Sequence, residues 1–151
     1  MSESGLFSRW RSWAPYLLCI LRIVTAFLFM QVGTAKLFAF PAAIMPGGGT
    51  APAGSLPWVA GVLETFGGAL VLVGLFTRPV AFLLSGEMAV AYFIAHAPQG
   101  FWPVLNGGAP AALYSFLFLY VSAVGGGPWA LDALRRGGAE APLPASTASG
   151  P

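Results

Sequence analysis

Four apolar runs restrict the fold of this chain more than any other feature of its sequence. They lie at about 15–38, 57–77, 79–97 and 109–126. Each approaches the ~20 residues that carry a helix across ~30 Å of hydrocarbon. Inside lipid every backbone N–H and C=O must be satisfied within the protein, which leaves helices or closed barrels, and four segments cannot close a barrel. The sequence therefore predicts an all-α fold, an integral membrane four-helix bundle. Composition agrees. Hydrophobic residues make up 57% of the chain and charged residues 8%, where a soluble domain carries about 25% charged. At 151 residues the chain suits one domain.

Charges outside the runs predict the topology. Arg9 and Arg11 precede the first, Arg78 joins the second to the third, and Arg135 and Arg136 follow the fourth. The connections at about 39–56 and 98–108 carry no charged residue. Positive charge stays on the cytoplasmic side, so both termini and the tight Phe76-Thr77-Arg78-Pro79 turn are expected in the cytoplasm. The expected location is a bacterial-type cytoplasmic (inner) membrane, crossed several times. Residues 1–14 carry Phe7, Trp10 and Trp13 beside arginines and read as an interfacial segment. Residues 15–136 form the membrane domain, and 137–151, rich in Gly, Ala, Pro and Ser, read as a disordered tail. The first run is too long for a signal-peptide core and lacks a clean cleavage site, so no cleavable leader is expected. The connection holding Gly47-Gly48-Gly49 is expected to be a flexible cover, and Gly100-Phe101-Trp102-Pro103 to lie at the membrane interface.

Two single residues exclude whole chemistries. Cys19 is the one cysteine, so this chain alone holds no disulfide, no CxxC pair and no iron–sulfur cluster. His96 is the one histidine, so a haem with two histidine ligands from one subunit is excluded too. The seven basic residues are scattered rather than gathered in a patch, which argues against nucleic acid.

Charges inside the runs must face protein or water, because hydrocarbon makes them costly. The first run holds Arg22, Gln31 and Lys36, the second Glu64, the third Glu87 and His96. At roughly 100° per residue, Arg22, Phe29, Gly33 and Lys36 share one face, as do Gly61, Glu64, Gly68 and Val71. Ala81, Ser85 and Ala89 form a ridge of small residues beside Glu87. Depth along the helices puts Glu87 near the midplane within reach of Arg22, with Glu64 about one turn further out towards Lys36 and His96. Glu87 and His96 fall on opposite faces of a regular helix and are not expected to form one site. Two readings remain open. Arg22–Glu87 and Lys36–Glu64 are structural ion pairs, or Arg22, Lys36, Glu64, Glu87 and His96 line a polar pocket for a small ligand or a proton path. Cys19 reads as a core or lipid-facing filler.

Several segments together resemble one family. Gly33-Thr34-Ala35-Lys36-Leu37 resembles the GxxKL end of the first helix in the DoxX family. Glu64 to Leu70 and Gly74 to Arg78 resemble its second-helix motif, and Met88, Ala91 and His96 its third. Asn106-Gly107-Gly108 and Gly127-Pro128-Trp129-Ala130-Leu131-Asp132 are similar to its last loop and C-terminal motif. The likeness covers about residues 20–132. It departs from the family where a glutamate often follows the Asn-Gly-Gly segment; here Ala109 and Pro110 stand there.

The resemblance implies a redox-associated membrane protein, because the family is similar to the DoxD subunit of thiosulfate:quinone oxidoreductase. On that footing the chain is a membrane subunit of a quinone-linked or oxidative-stress assembly. It would have no intrinsic cofactor, a quinone held near Lys36, Glu64 and His96, and a protein partner or second copy alongside the lipid. The alternative is a non-catalytic scaffold or chaperone-like partner, which the absence of a cofactor motif favours.

Overall fold

The computed structural model describes residues 3–137, with side chains from Trp10 to Arg135. The expected disordered tail therefore lies, beyond Gly137, outside the described residues, as do the side chains of Phe7 and Arg9. Among the described residues the regular structure is all helical, with no strand. Helix α1 covers Glu3–Phe38, α2 Leu56–Val73, α3 Thr77–Gln99, α4 Ala109–Val124 and α5 Leu131–Gly137. The 36 residues of α1 extend about 54 Å and run unbroken through Pro15. Trp10–Phe38, α2 and α3 are long and apolar enough to cross a membrane. Helix α4 is apolar but has 16 residues, about 24 Å, less than the ~30 Å of hydrocarbon. The outward faces are those of a membrane protein: Phe27, Phe66, Phe82, Phe93 and Phe116 all project from the bundle.

The four long helices alternate in direction. One end of the bundle, the loop end, holds the two long connections. The other, the turn end, holds the Gly74–Phe76 turn and α5. Helix α1 packs along α2, and α3 along α4. The pairs are joined by a core of Ala26, Phe29, Val71, Leu84, Met88 and Phe118. Phe29 meets Phe118 edge to face at 4.8 Å between ring centroids, a favoured aromatic geometry. Ser85 and Ser115 exchange hydrogen bonds across α3 and α4, each hydroxyl donating to the other's carbonyl at 2.8 and 3.0 Å. The small ridge foreseen on α3 is what brings these backbones close enough.

The turn end is tied by two charged residues. Gly74 takes a left-handed conformation (φ 75°) and ends α2, with Leu75 N–H donating to Leu70 O at 2.9 Å. The last carbonyls of a helix lack partners within it, and Gly74 N–H serves Val71 O at 3.1 Å. Arg22, 1% exposed, donates from Nη1 to Val71 O and Leu72 O, from Nε to Gly126 O at 2.9 Å and from Nη2 to Trp129 O at 3.3 Å. One guanidinium thus caps α2 and pins the segment after α4. That segment returns a carboxylate: Asp132 accepts from Phe76 N at 2.9 Å and Thr77 N at 2.7 Å, capping the first turn of α3 from 55 residues away.

The expected Arg22–Glu87 pair is therefore not formed. A guanidinium suits a fan of carbonyls better than a point charge does, and the end of α2 together with the 126–129 segment supplies that fan at the level of Arg22.

Candidate functional site

Two glycines set the crossing of α1 and α2. A Cβ on Gly33 would lie 2.5 Å from Thr65 Oγ1 and 2.6 Å from Thr65 N. A Cβ on Gly61 would lie 3.1 Å from Lys36 Cβ. With no side chain at either position the helices close up, and Lys36 Nζ reaches Glu64 Oε1 at 2.6 Å. The expected Lys36–Glu64 pair is present. The glutamate is 1% exposed and the lysine side chain 19%, so the cation sits at the boundary and the carboxylate behind it. Glu64 Oε2 is buried without a hydrogen-bond partner. Around it α2 winds as a π-turn over Leu63–Gly67, a distortion often found at functional sites.

Beside this pair a groove of about 920 Å³ opens between α2 and α3. The helices touch where Gly67 meets Leu84, a Cβ there lying 2.8 Å from Leu84 Cδ2. Towards the loop end they part. Leu56, Val59, Ala60 and Leu63 line one wall; Leu83, Gly86, Glu87, Val90 and Ile94 line the other, and Ile44 to Pro46 lie at the mouth. The spacings of three and four residues mark one face of each helix. The lining is apolar except for Lys36, Glu87 and His96.

Glu87 is the conspicuous group. Both its carboxylate oxygens are buried and neither has a hydrogen-bond partner. A buried carboxyl in this condition is costly unless a bound molecule or a proton satisfies it. His96 stands at the loop end, its Nδ1 2.9 Å from Asn106 O and its ring stacked on Tyr92. Asn106 organises its own loop, donating from Nδ2 to Gly100 O at 2.8 Å and accepting from Gly108 N at 2.8 Å.

Of the five candidate residues, Lys36, Glu87 and His96 line one groove, Glu64 backs it through Lys36, and Arg22 lies apart at the turn end. That Glu87 and His96 share a groove corrects the expectation that they face opposite ways. Helix α3 makes a π-turn over Tyr92–His96. One extra residue in a turn rotates the residues beyond it by roughly 100° and brings His96 round towards the face of Glu87. Neither π-turn has a periodicity signal that a single sequence reveals. Nor does any local pattern predict the contacts of Asn106 and Asp132, although both residues fall in segments that resemble the family's last loop and C-terminal motif. No group of three or more His, Cys, Asp or Glu residues that could hold a metal occurs among the described residues.

Comparison with known proteins fits this architecture. A protein of Haemophilus influenzae, named only as uncharacterized, is 51% identical over 121 residues, 78% of this chain and 90% of its own length. No solved structure matches. The family profile of DoxX matches residues 17–97, which take in α1 from Leu17, the Lys36–Glu64 pair, both π-turns and His96. The chain belongs to the DoxX family.

Proposed function

We propose that this protein is a membrane subunit of a redox assembly and holds a lipid-dissolved molecule of the quinone type in the groove between α2 and α3. The observation that carries this reading is Glu87, which lines a groove that opens sideways between helices, towards lipid, and whose two carboxylate oxygens are buried without a hydrogen-bond partner. A wholly apolar lipid tail would leave that carboxyl unsatisfied. A quinol hydroxyl donates to it when ionised, and a quinone carbonyl accepts from it when protonated. Lys36 and His96 offer further polar atoms towards the loop end of the same groove. A quinone would supply two-electron chemistry, and the protein's part is to bind the headgroup and exchange protons with it. The electron-transfer centre would belong to a partner protein.

The same reading places the turn end in the cytoplasm of a bacterial-type inner membrane. Arg11, Arg78 and Arg135 support it, since the connections at the loop end carry no charge. Purification in native lipid followed by mass spectrometry tests the proposal. A quinone should accompany the wild type and be lost from Glu87→Gln. If wild type and variant both carry no quinone, the ligand assignment fails.

A scaffold that gathers other proteins is the second reading, and one observation favours it. Phe101, Val104 and Leu105 project from the loop end, each at least 80% exposed. A stable protein partner recovered without quinone in that purification would support it.

A further inference from the structure

Glycine inside a helix costs about 1 kcal/mol relative to alanine and is kept where something needs the space. Four helical glycines here have that reason. A Cβ on Gly33, Gly61, Gly67 or Gly68 would meet a neighbour within 3.1 Å. Gly86 does not: a Cβ there would meet nothing within 4 Å. It lies mid-helix in α3, lines the groove and directly precedes Glu87. A position with open space for a Cβ holds the one residue without one.

We infer that Gly86 seats the ring of the groove's ligand, a planar headgroup lying against the bare backbone with a polar substituent at Glu87. The inference rests on the proposed quinone-type reading and makes it specific. The groove has the size of a small-molecule site: its 920 Å³ falls within the range of ligand pockets, which run to about 1,000 Å³. The groove also stops short of the turn end, at the contact between Gly67 and Leu84. An acyl chain fits by size, but it is slender, needs no recess and offers nothing to Glu87.

The test uses the full chain, wild type, Gly86→Ala and Gly86→Leu, in detergent. Decylubiquinone is titrated as the ring-bearing probe and dodecanol as a ring-free amphiphile. Bound fraction is read by native mass spectrometry and stability by thermal unfolding without ligand. Wild type should bind decylubiquinone. Gly86→Ala should unfold at the same or a higher temperature, because alanine favours the helix and meets no neighbour. It should bind the quinone about tenfold more weakly, and Gly86→Leu more weakly still. Dodecanol binding should change little in Gly86→Ala. Wild-type affinity in Gly86→Leu overturns the seat at Gly86 but leaves the proposed function standing. Failure of the wild type to bind decylubiquinone overturns both. Equal loss of dodecanol and quinone shows a groove shaped for a chain rather than a ring. A lower unfolding temperature in Gly86→Ala, or loss of a dimer, shows a face packed against another copy; any of these outcomes refutes the inference.

Discussion

Lys36 and Glu64 meet at 2.6 Å between α1 and α2, and the glutamate's second oxygen has no hydrogen-bond partner among the described residues. A pair buried on one side only gives unequal single variants. Glu64→Gln leaves an ammonium without its counter-charge. This should cost roughly 3–5 kcal/mol, less to the extent that Lys36 bends out along its stem. Adding Lys36→Met removes the orphan charge and should restore most of the lost stability. Thermal unfolding of both singles and the double variant measures this. A double variant no more stable than Glu64→Gln would mean the pair does not set the packing.

The glycines that permit this pair make a second prediction. Gly33→Ala places a methyl group against the Thr65 backbone, which cannot move aside as a side-chain end would. We expect a loss of about 1–3 kcal/mol, and a weakened Lys36–Glu64 contact as the helices part. Gly86→Ala, also within a membrane-spanning helix, should show no such loss. The contrast between two identical substitutions separates packing from intrinsic helix propensity.

Arg22 should resist conservative replacement. Its guanidinium serves four carbonyls from two chain segments. Lysine offers three donors on one nitrogen and cannot bridge the same span. Arg22→Lys breaks at least one of these bonds, at roughly 1–3 kcal/mol for each carbonyl left without a donor. Asp132→Asn should cost less, about 1 kcal/mol, since an amide oxygen still caps α3. Unfolding in detergent ranks the two variants, and an Arg22→Lys protein as stable as wild type would show the fan of bonds to be dispensable.

These contrasts also mark what the sequence could reveal. Helical spacing placed Arg22, Phe29, Gly33 and Lys36 on one inward face, and they are there, because lipid leaves charges nowhere else to point. The Lys36–Glu64 pair came from the same spacing plus depth. Arg22 takes a different partner from the one helical spacing predicts, because its acceptors are backbone carbonyls at the end of α2 and in the 126–129 segment, which no residue type announces. Glu87 and His96 came together through a π-turn, one extra residue of winding that shifts a face without changing a letter. Asp132 capping α3 is a tertiary contact, far from the local capping patterns that sequence reading detects.

Cys19 supplies the means for the final prediction, which concerns orientation. The thiol is buried, donates towards Gly126 O at 3.7 Å and accepts from Trp129 N at 3.4 Å. Both bonds are weak, so Cys19→Ala should fold and give a background without cysteine. Single cysteines are then introduced as Thr50→Cys at the loop end and Leu134→Cys on α5 at the turn end; both positions are exposed. With a membrane-impermeant maleimide applied to intact cells, Thr50→Cys should label at once. Leu134→Cys should label only after the membrane is opened. The charge asymmetry behind this expectation comes from Arg9, Arg11, Arg78, Arg135 and Arg136 set against two uncharged connections. The short α4 puts it at most risk. If α4 failed to cross, α5 would lie on the same side as the loop between α3 and α4, and Leu134→Cys would label from outside together with Thr50→Cys.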